Sequence, residues 1–523
     1  MPEKPPLERY TRLDYVLLAG LALAALIGAV LMAWFVTERL PHLEDEIAYI
    51  FQARIFARGT LWAPPEPEYG AFFTPFVVDD FPGKRIGKYP IGWPLVLAAG
   101  EAVDAGWLVN PLIASATAVL AYALGRDLYD RRMGILSAIL LISSPFFLLQ
   151  SATFMSHPAA MLWLMLFMWA FLHTDLAVEA GREGRGWSAL AGLALGLMIL
   201  TRQMTALAAV TPFVIYGLVR FIRGQMSLRE AWRRYWPLAA IAIAVTLLQP
   251  LYLTVVTGSP TTNLYRLIWD YDRIGFGLHG YGVEGDHTLP EAWRNARRDL
   301  RLLWGDLFGW HGVSWLFILP GAIAGTVWAK PGRRVWPWLL LSSFVSIVVV
   351  YMAYWIGAEV YGPRYYYEGI AGLAILSSLG LAGAGSVMVW LLQLLPGGKR
   401  AGRTEATLIA AGVLTVLIGW NVIGYLPKRL GDWHALYTIS RDSLDELDRL
   451  RQTDHVLLLV RDQRWRDYAE FFALNSPWYD GPIVAAHDLN PRTTRAVLAL
   501  YPDREVWYFN TGEFTPEPAP YTR

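Results

Sequence analysis

The sequence predicts an α-helical protein that crosses a membrane about eleven times and carries a small α/β domain at its C-terminal end. Of its 523 residues, 55% are hydrophobic and only 17% are charged, whereas soluble domains carry about 25% charged residues. Several apolar stretches reach the roughly twenty residues that a helix needs to cross the hydrocarbon layer. After the last of them, short apolar runs alternate with helical patterns, which is typical of a parallel α/β domain.

The membrane spans are predicted from these apolar stretches. We place them at residues 14–36, 107–125, 134–151, 157–174, 187–201, 203–222, 236–256, 313–329, 335–356, 365–392 and 405–425. Only Arg202 separates the fifth and sixth stretches, so they are either a tight helical hairpin or one long helix.

Basic residues in short loops decide between these alternatives, because such loops stay on the cytoplasmic side. With a cytoplasmic N-terminus, four adjacent basic pairs fall on that side: Arg131-Arg132, Arg233-Arg234, Arg333-Arg334 and Lys399-Arg400. Merging the two stretches would move the last three pairs outside. Eleven spans are therefore favoured, in a multi-pass protein of the cell (plasma or inner) membrane whose C-terminus lies outside.

This topology defines the domains. We assign residues 1–425 to a transmembrane domain, 426–512 to an extracytoplasmic α/β domain and 513–523 to a disordered tail. The long outer loops of the transmembrane domain are 37–106 and 257–312.

The first outer loop contains a predicted amphipathic helix. Ile47, Ile50, Phe51 and Ile55 share one of its faces. We expect this helix to lie in the membrane interface.

Several classes of function are disfavoured. A net charge of +1 gives no field that would gather nucleic acid. The chain has no cysteine, which excludes disulfides, thiolate metal sites and cysteine nucleophiles. No Walker-type, His-Glu-x-x-His or Gly-x-Ser-x-Gly motif is present. No nucleotide cofactor is therefore expected.

An acidic cluster follows the first span. Glu44, Asp45 and Glu46 fall at the outer membrane surface, where a carboxylate could act as a general base or a metal ligand. The alternative is a solvated acidic helix start, because acids near a helix N-terminus are stabilised by its dipole. Whether a divalent cation is required stays open.

Basic residues on the outer side suggest a phosphate. Lys88 precedes Tyr89-Pro90, and a lysine beside the membrane on that side runs against the usual charge bias. A lipid-linked phosphate would explain it, because the lysine ammonium supplies a compact charge and three donors; ordinary headgroup contact is the alternative. Arg202 and Arg364 sit at predicted span ends, where ionisable groups are functional candidates or reach outward to headgroups. His157, at the start of the fourth span, could bind phosphate, assist a base or interact with the helix start.

Four motifs resemble those of the GT-C membrane glycosyltransferases, specifically glycosyltransferase family 39, which groups protein O-mannosyltransferases and aminoarabinose-transferase-like enzymes. They are Asp45-Glu46-Ile47-Ala48-Tyr49, Gly87-Lys88-Tyr89-Pro90, Gly192 to Gly196 with Leu200-Thr201-Arg202, and Pro363-Arg364-Tyr365-Tyr366. The resemblance covers roughly residues 10–425.

The resemblance implies a reaction and a set of site residues. It implies Asp45 as the catalytic base with Glu46 as its neighbour, and Lys88 as a contact to the lipid phosphate. Arg364 and Tyr365 join the donor-binding set, with Arg202 and His157 as helpers. The implied partners are a polyprenyl-phosphate-linked sugar donor, membrane lipids, and a glycan, lipid or protein acceptor.

Two departures bear on the metal and the sugar. Many relatives have Lys-Pro-Pro where this chain has Lys88-Tyr89-Pro90, and an acidic residue where this chain has His157.

The alternative functions are a lipid or solute transporter or flippase without chemistry, and a lipid-binding scaffold. Transporters usually place charges at mid-membrane, whereas here the ionisable residues cluster at the outer ends of spans.

Overall fold

The computed structural model describes residues 10–278, 286–330, 332–358, 360–394, 403–461 and 464–518. The α-helices in these ranges are α1 (Arg12–Phe35), α2 (Glu44–Ala57), α3 (Gly92–Glu101), α4 (Val109–Leu128), α5 (Arg131–Ile142), α6 (Pro145–Gln150), α7 (His157–Glu179), α8 (Arg185–Thr201), α9 (Gln203–Ile222), α10 (Leu228–Thr246), α11 (Leu248–Thr257), α12 (Leu264–Ile268), α13 (Leu289–Asp306), α14 (Ile318–Trp328), α15 (Trp336–Tyr351), α16 (Ile370–Gln393), α17 (Arg403–Trp420), α18 (Leu426–Trp433), α19 (Asp442–Leu450), α20 (Trp465–Phe472) and α21 (Pro491–Leu500). The strands are β1 (Val77–Phe81), β2 (Lys84–Gly87), β3 (Gly277–Leu278), β4 (Asp286–His287), β5 (Val456–Val460), β6 (Ile483–His487), β7 (Glu505–Asn510) and β8 (Glu513–Thr515).

The membrane-spanning part is helical, as predicted. Among the described residues, eight helical segments are long and apolar enough to cross a membrane, and α8 and α15 are shorter apolar helices. The predicted span at 134–151 is realised as α5 and α6, with a break at Ser144, whose side chain caps α6. The prediction of a polytopic helical membrane protein is confirmed.

The chain turns back at Arg202. Its backbone is extended, with φ −150° and ψ 90°, so the helix cannot continue through it. Near the start of α8, Ser188 donates a hydrogen bond to the carbonyl of Arg234. Near the end of α9, Arg220 pairs with Asp175, which also pairs with Arg234. Helices α8 and α9 are therefore antiparallel, and of the two alternatives the tight helical hairpin is the one that forms.

Small residues bring α8 against α10. A Cβ on Gly192 would lie 2.3 Å from the carbonyl oxygen of Leu238, and one on Gly196 would lie 2.7 Å from Cβ of Val245. Glycines four residues apart let helix backbones approach closely inside a membrane. The Gly192-x3-Gly196 motif thus has a packing function that holds Arg202 at the end of α8.

The C-terminal domain contains a four-stranded sheet in the order β6-β5-β7-β8. Strand β5 pairs in parallel with β6 and β7, as the alternating pattern predicts. Strand β8 adds an antiparallel edge to β7, so the sheet extends three residues past the predicted boundary at 512. Of the predicted tail, residues 519–523 lie outside the described residues.

The loop of residues 37–106 is packed against this domain. The backbone N–H of His487 donates to the carbonyl of Ala71 at 2.7 Å. The guanidinium of Arg85, 1% exposed, donates to the hydroxyl of Tyr479 at 2.6 Å and to the carbonyl of Pro477 at 3.0 Å. The loop and the domain therefore form one cap over the same end of the helical bundle.

Helix α2 lies inside this cap, so the prediction that it lies in the membrane interface is wrong. Ile47, Ile50, Phe51 and Ile55 are all buried, and the guanidinium of Arg54 donates to the carbonyl of Ala473 at 2.7 Å. The apolar face of α2 is therefore covered by protein and not by the membrane interface. Periodicity identified the face, but the partner that covers it comes from a segment four hundred residues away along the chain.

Candidate active site

A cavity of about 1070 Å³ opens where the cap meets the helical bundle. Its walls come from the start of α2, the turn after β2, the starts of α7 and α9, the segment after α11 and the segment before α16. Six of the seven predicted site residues line it: Asp45, Lys88, His157, Arg202, Arg364 and Tyr365. The seventh, Glu46, faces away from the cavity.

Asp45 lies at the centre of the charged groups. The hydroxyl of Tyr89 donates to Oδ1 of Asp45 at 2.5 Å, and Nη1 of Arg364 lies 3.8 Å from its Oδ2. Burial raises the pKa of Asp45, but Arg364, Lys88 and the Tyr89 hydroxyl outweigh it and hold that pKa below its usual value. Asp45 is therefore ionised and able to accept a proton.

Lys88 is surrounded by aromatic rings. Its Nζ lies 3.5 Å from the ring centroid of Phe76, 4.7 Å from that of Trp269, and slightly farther from those of Tyr89 and Tyr265. Burial lowers the pKa of Lys88, while Asp45 acts in the opposite direction. Cation–π contacts hold the ammonium and leave its N–H donors available to an anion.

Arg364 carries unused donors into the same region. Its Nε and Nη1 are buried and donate no hydrogen bond to any described residue. A buried donor without a partner costs about 1–3 kcal/mol. Because Arg364 sits 3.8 Å from Asp45 in an open cavity, an anionic ligand would supply the missing acceptors.

His157 and Arg202 both contact the carboxylate of Glu368, a residue that was not predicted from the sequence. Nδ1 of His157 lies 3.1 Å from Oε1 of Glu368, and Nε of Arg202 lies 3.3 Å from the same atom. Arg202 also donates to the hydroxyl of Tyr351 at 3.0 Å. His157 and Glu368 are fully buried. Glu368 thus orients both side chains at the cavity wall, and its position inside the tenth predicted span was the available signal.

Glu46 is held by hydrogen bonds from the surrounding protein. One of its oxygens accepts from the backbone N–H groups of His42 and Leu43 and from the hydroxyl of Tyr361, and the other accepts from the N–H of Phe154. Burial raises the pKa of Glu46 to about 7 despite these donors. Both of its oxygens therefore join the start of α2 to neighbouring segments, including the loop before α7.

Replacing Glu46 with Gln is expected to destabilise the protein. The amide nitrogen would face N–H donors that now meet a carboxylate oxygen, which leaves a buried donor unsatisfied at a cost of about 1–3 kcal/mol. The measurement is the melting temperature in detergent, with the exposed Glu446→Gln as the matched control. An unchanged melting temperature would contradict this structural assignment.

One wall of the cavity is apolar and reaches the membrane-facing helices. Met204 of α9 and Pro250 and Leu253 of α11 line it. On the outer surface of α11, Leu251 is 61% exposed and Val255 is 52% exposed. A lipid chain lying against α9 and α11 could therefore bring its headgroup to Lys88 and Arg364.

A metal site is not formed by protein side chains alone in the described part of the chain. There, no group of three or more His, Asp or Glu residues is placed to hold an ion. The carboxylates of Glu44, Asp45 and Asp272 line the cavity without forming such a group.

Comparison with known proteins identifies the fold. Residues 94–253 match the family model of dolichyl-phosphate-mannose-protein mannosyltransferases. Crystal structures of ArnT from Cupriavidus metallidurans, bound to undecaprenyl phosphate and in the apo state, are each 15% identical to the chain, with TM-scores of 0.55 and 0.53. The chain has a GT-C-type fold. The alignments cover 94% of this chain and 89% of ArnT in the first case, and 92% and 88% in the second.

The GT-C-like fold expected from the four motifs is thereby confirmed. The archaeal oligosaccharyltransferase AglB from Archaeoglobus fulgidus, in complex with an inhibitory peptide and a dolichol-phosphate, is also 15% identical, with a TM-score of 0.49 over 92% of this chain and 65% of AglB. No curated protein sequence matches the chain.

Proposed function

We propose that the protein is a glycosyltransferase that moves a sugar from a polyprenyl-phosphate donor to an acceptor hydroxyl. The observation that carries the proposal is the meeting of Asp45, Lys88 and Arg364 in one cavity, with Asp45 and Arg364 3.8 Å apart. A base beside two cations suits a reaction in which a hydroxyl loses a proton while a phosphate leaves.

The reaction breaks the bond between the anomeric carbon and the phosphate oxygen. The acceptor oxygen forms a bond to that carbon, and the electron pair of the broken bond departs with the polyprenyl phosphate. Asp45 takes the proton of the acceptor hydroxyl, a step that typically contributes ~10²–10⁴-fold. Lys88 and Arg364 stabilise the charge that develops on the phosphate, where preorganised donors act strongly away from water.

Other side chains of the cavity act by orienting the reacting groups or by supporting the cavity walls. Tyr89 holds Asp45 through a hydrogen bond of 2.5 Å, and Glu368 orients Arg202 and His157. Tyr365 stacks on Tyr351, with ring centroids 4.8 Å apart, which supports a second face of the cavity beside Arg364.

A lipid-linked donor is supported by the apolar wall formed by α9 and α11 and by the undecaprenyl phosphate bound to ArnT. We further propose that the cavity faces the extracytoplasmic side of the cell membrane, with residues 1–425 as the catalytic domain and 426–512 as an outer domain that caps it. The basic pairs of the opposite loops support this orientation.

The proposal is tested with purified protein and radiolabelled undecaprenyl-phosphate sugars. We expect protein-dependent cleavage of the sugar from the lipid, by transfer to added glycan, lipid or peptide acceptors or by slow hydrolysis. The product is measured by thin-layer chromatography. Binding without cleavage would instead favour a scaffold, and movement of intact donor across liposomes would favour a flippase; either result would overturn the proposed reaction.

A further inference from the structure

A second carboxylate lies in the cavity wall, separate from Asp45. Asp272 follows α12, is 6% exposed and lines the cavity. Its Oδ1 accepts hydrogen bonds from the hydroxyl of Tyr354 at 3.1 Å and from Nε1 of Trp355 at 3.3 Å. Two donors on an element remote in sequence therefore hold this side chain in one orientation.

The other oxygen of Asp272 is available. Among the described residues, Oδ2 accepts no hydrogen bond and no cationic side chain contacts Asp272 directly. The ammonium of Lys88 is near enough to interact with its charge electrostatically. A carboxylate oxygen can accept two hydrogen bonds, and a buried carboxylate is stable only when its hydrogen bonds are made. The free oxygen of this oriented carboxylate therefore calls for donors from a ligand.

Aromatic rings line the same cavity as Asp272. They belong to Tyr265, Trp269, Tyr354 and Trp355. Trp269 is held by stacking on Tyr271, at 5.7 Å between centroids, and by the edge of Phe76, at 5.2 Å. Flat apolar faces beside a hydrogen-bond acceptor suit a sugar ring, which presents C–H groups on its faces and hydroxyl groups at its rim.

Asp272 and these rings lie next to the proposed phosphate-binding residues, which indicates the part of the donor that they would contact. Nζ of Lys88 lies 4.7 Å from the ring centroid of Trp269, so the aromatic wall adjoins the place proposed for the lipid phosphate. In the donor the sugar is joined directly to that phosphate. A sugar joined to a phosphate bound at Lys88 would therefore lie beside Trp269, whose carbonyl accepts the backbone N–H of Asp272 at 3.0 Å.

We infer that Asp272 and the rings of Trp269 and Tyr265 form the subsite for the donor sugar. The inference rests on the proposed function and deepens it. Oδ2 of Asp272 accepts a hydrogen bond from a sugar hydroxyl, and the rings pack on the sugar face. Asp272 takes no part in bond breaking, because the base and the phosphate-binding cations are already supplied by Asp45, Lys88 and Arg364.

The test compares a lipid phosphate with and without its sugar. The probes are undecaprenyl phosphate alone and the undecaprenyl-phosphate esters of mannose, glucose and arabinose, with dissociation constants measured in nanodiscs. In the natural sequence we expect at least one sugar ester to bind more tightly than the bare lipid. In Asp272→Asn, which keeps Oδ1 for Tyr354 and Trp355, we expect that ester to bind roughly ten- to a hundredfold more weakly, as for the loss of a hydrogen bond to a charged acceptor.

Two other variants complete the experiment. Asp270→Asn removes an exposed carboxylate two residues away and should bind every probe as the natural sequence does. Trp269→Leu leaves the carboxylate in place and removes the stacking face, so it should weaken the same ester selectively. The bare lipid should bind Asp270→Asn as it binds the natural sequence, and its binding should not be weakened in Asp272→Asn, because the loss of a negative charge near Lys88 does not disfavour an anion.

The outcomes separate the inference from the proposed function. Equal weakening of the bare lipid and the ester in Asp272→Asn, or no weakening in either, would overturn the sugar subsite. So would binding of the bare lipid with no gain from any sugar. If the natural sequence binds neither the bare lipid nor an ester, the proposed function fails and the subsite fails with it.

Discussion

Replacing Asp45 with Asn is expected to reduce sugar transfer by about 10²–10⁴-fold while donor binding and folding stay nearly unchanged. The amide keeps the size of the side chain and an oxygen that can accept from Tyr89, whose hydroxyl is 2.5 Å from Oδ1. It cannot take a proton from the acceptor hydroxyl. The measurement is the single-turnover rate with radiolabelled donor, alongside the donor dissociation constant.

Asp80→Asn is the matched control, because Asp80 is an exposed carboxylate in the same loop of residues 37–106. It should retain the natural rate. Full activity in Asp45→Asn would refute the assignment of the base. A fall in donor affinity as large as the fall in rate would show that Asp45 acts mainly by holding Arg364 in place.

Replacing Arg364 with Gln is expected to lower the transfer rate by about 10²–10³-fold, the usual cost of losing one donor aimed at developing charge. The donors at issue are Nε and Nη1, which have no hydrogen-bond partner among the described residues. Donor affinity should fall as well, because the phosphate carries negative charge before the reaction begins. Both quantities are measured with the same donor and acceptor as for Asp45.

The control for this variant is Arg301→Gln, since Arg301 is an exposed arginine of α13. Its rate and donor affinity should match the natural values. Because removal of Arg364 also releases a partner of Asp45, Arg364→Lys distinguishes the two effects. The lysine restores the charge beside Asp45 but not the planar set of donors, so recovery of most of the rate would show that charge alone is needed.

The position of the helices could be predicted from the sequence because it depends on local composition. In a membrane every backbone N–H and C=O must be satisfied within its own segment, so an apolar stretch of sufficient length becomes a helix. The break at Arg202 could also be predicted, because the charges of the loops favoured two helices over one. The parallel strands β5, β6 and β7 follow from short apolar runs that alternate with helical patterns.

The candidate site was predicted in part. Asp45, Lys88, His157, Arg202, Arg364 and Tyr365 were selected by charge, position and resemblance, and all line one cavity. Glu46 was selected with them, but adjacent residues on a helix point in directions about 100° apart. Which of the two faces the cavity depends on what packs against α2, and no local pattern gives that answer.

The sequence by itself thus determined the class of fold and most of the charged residues that meet at one end of the bundle, because these depend on neighbours along the chain and on the membrane as solvent. Only the tertiary structure decided which charges pair. Glu368 reaches His157 across 211 residues, and Tyr354 and Trp355 orient Asp272 across more than eighty. Such contacts arise from the packing of whole helices and loops, whose side-chain distances are set by tertiary contacts that local sequence patterns do not encode.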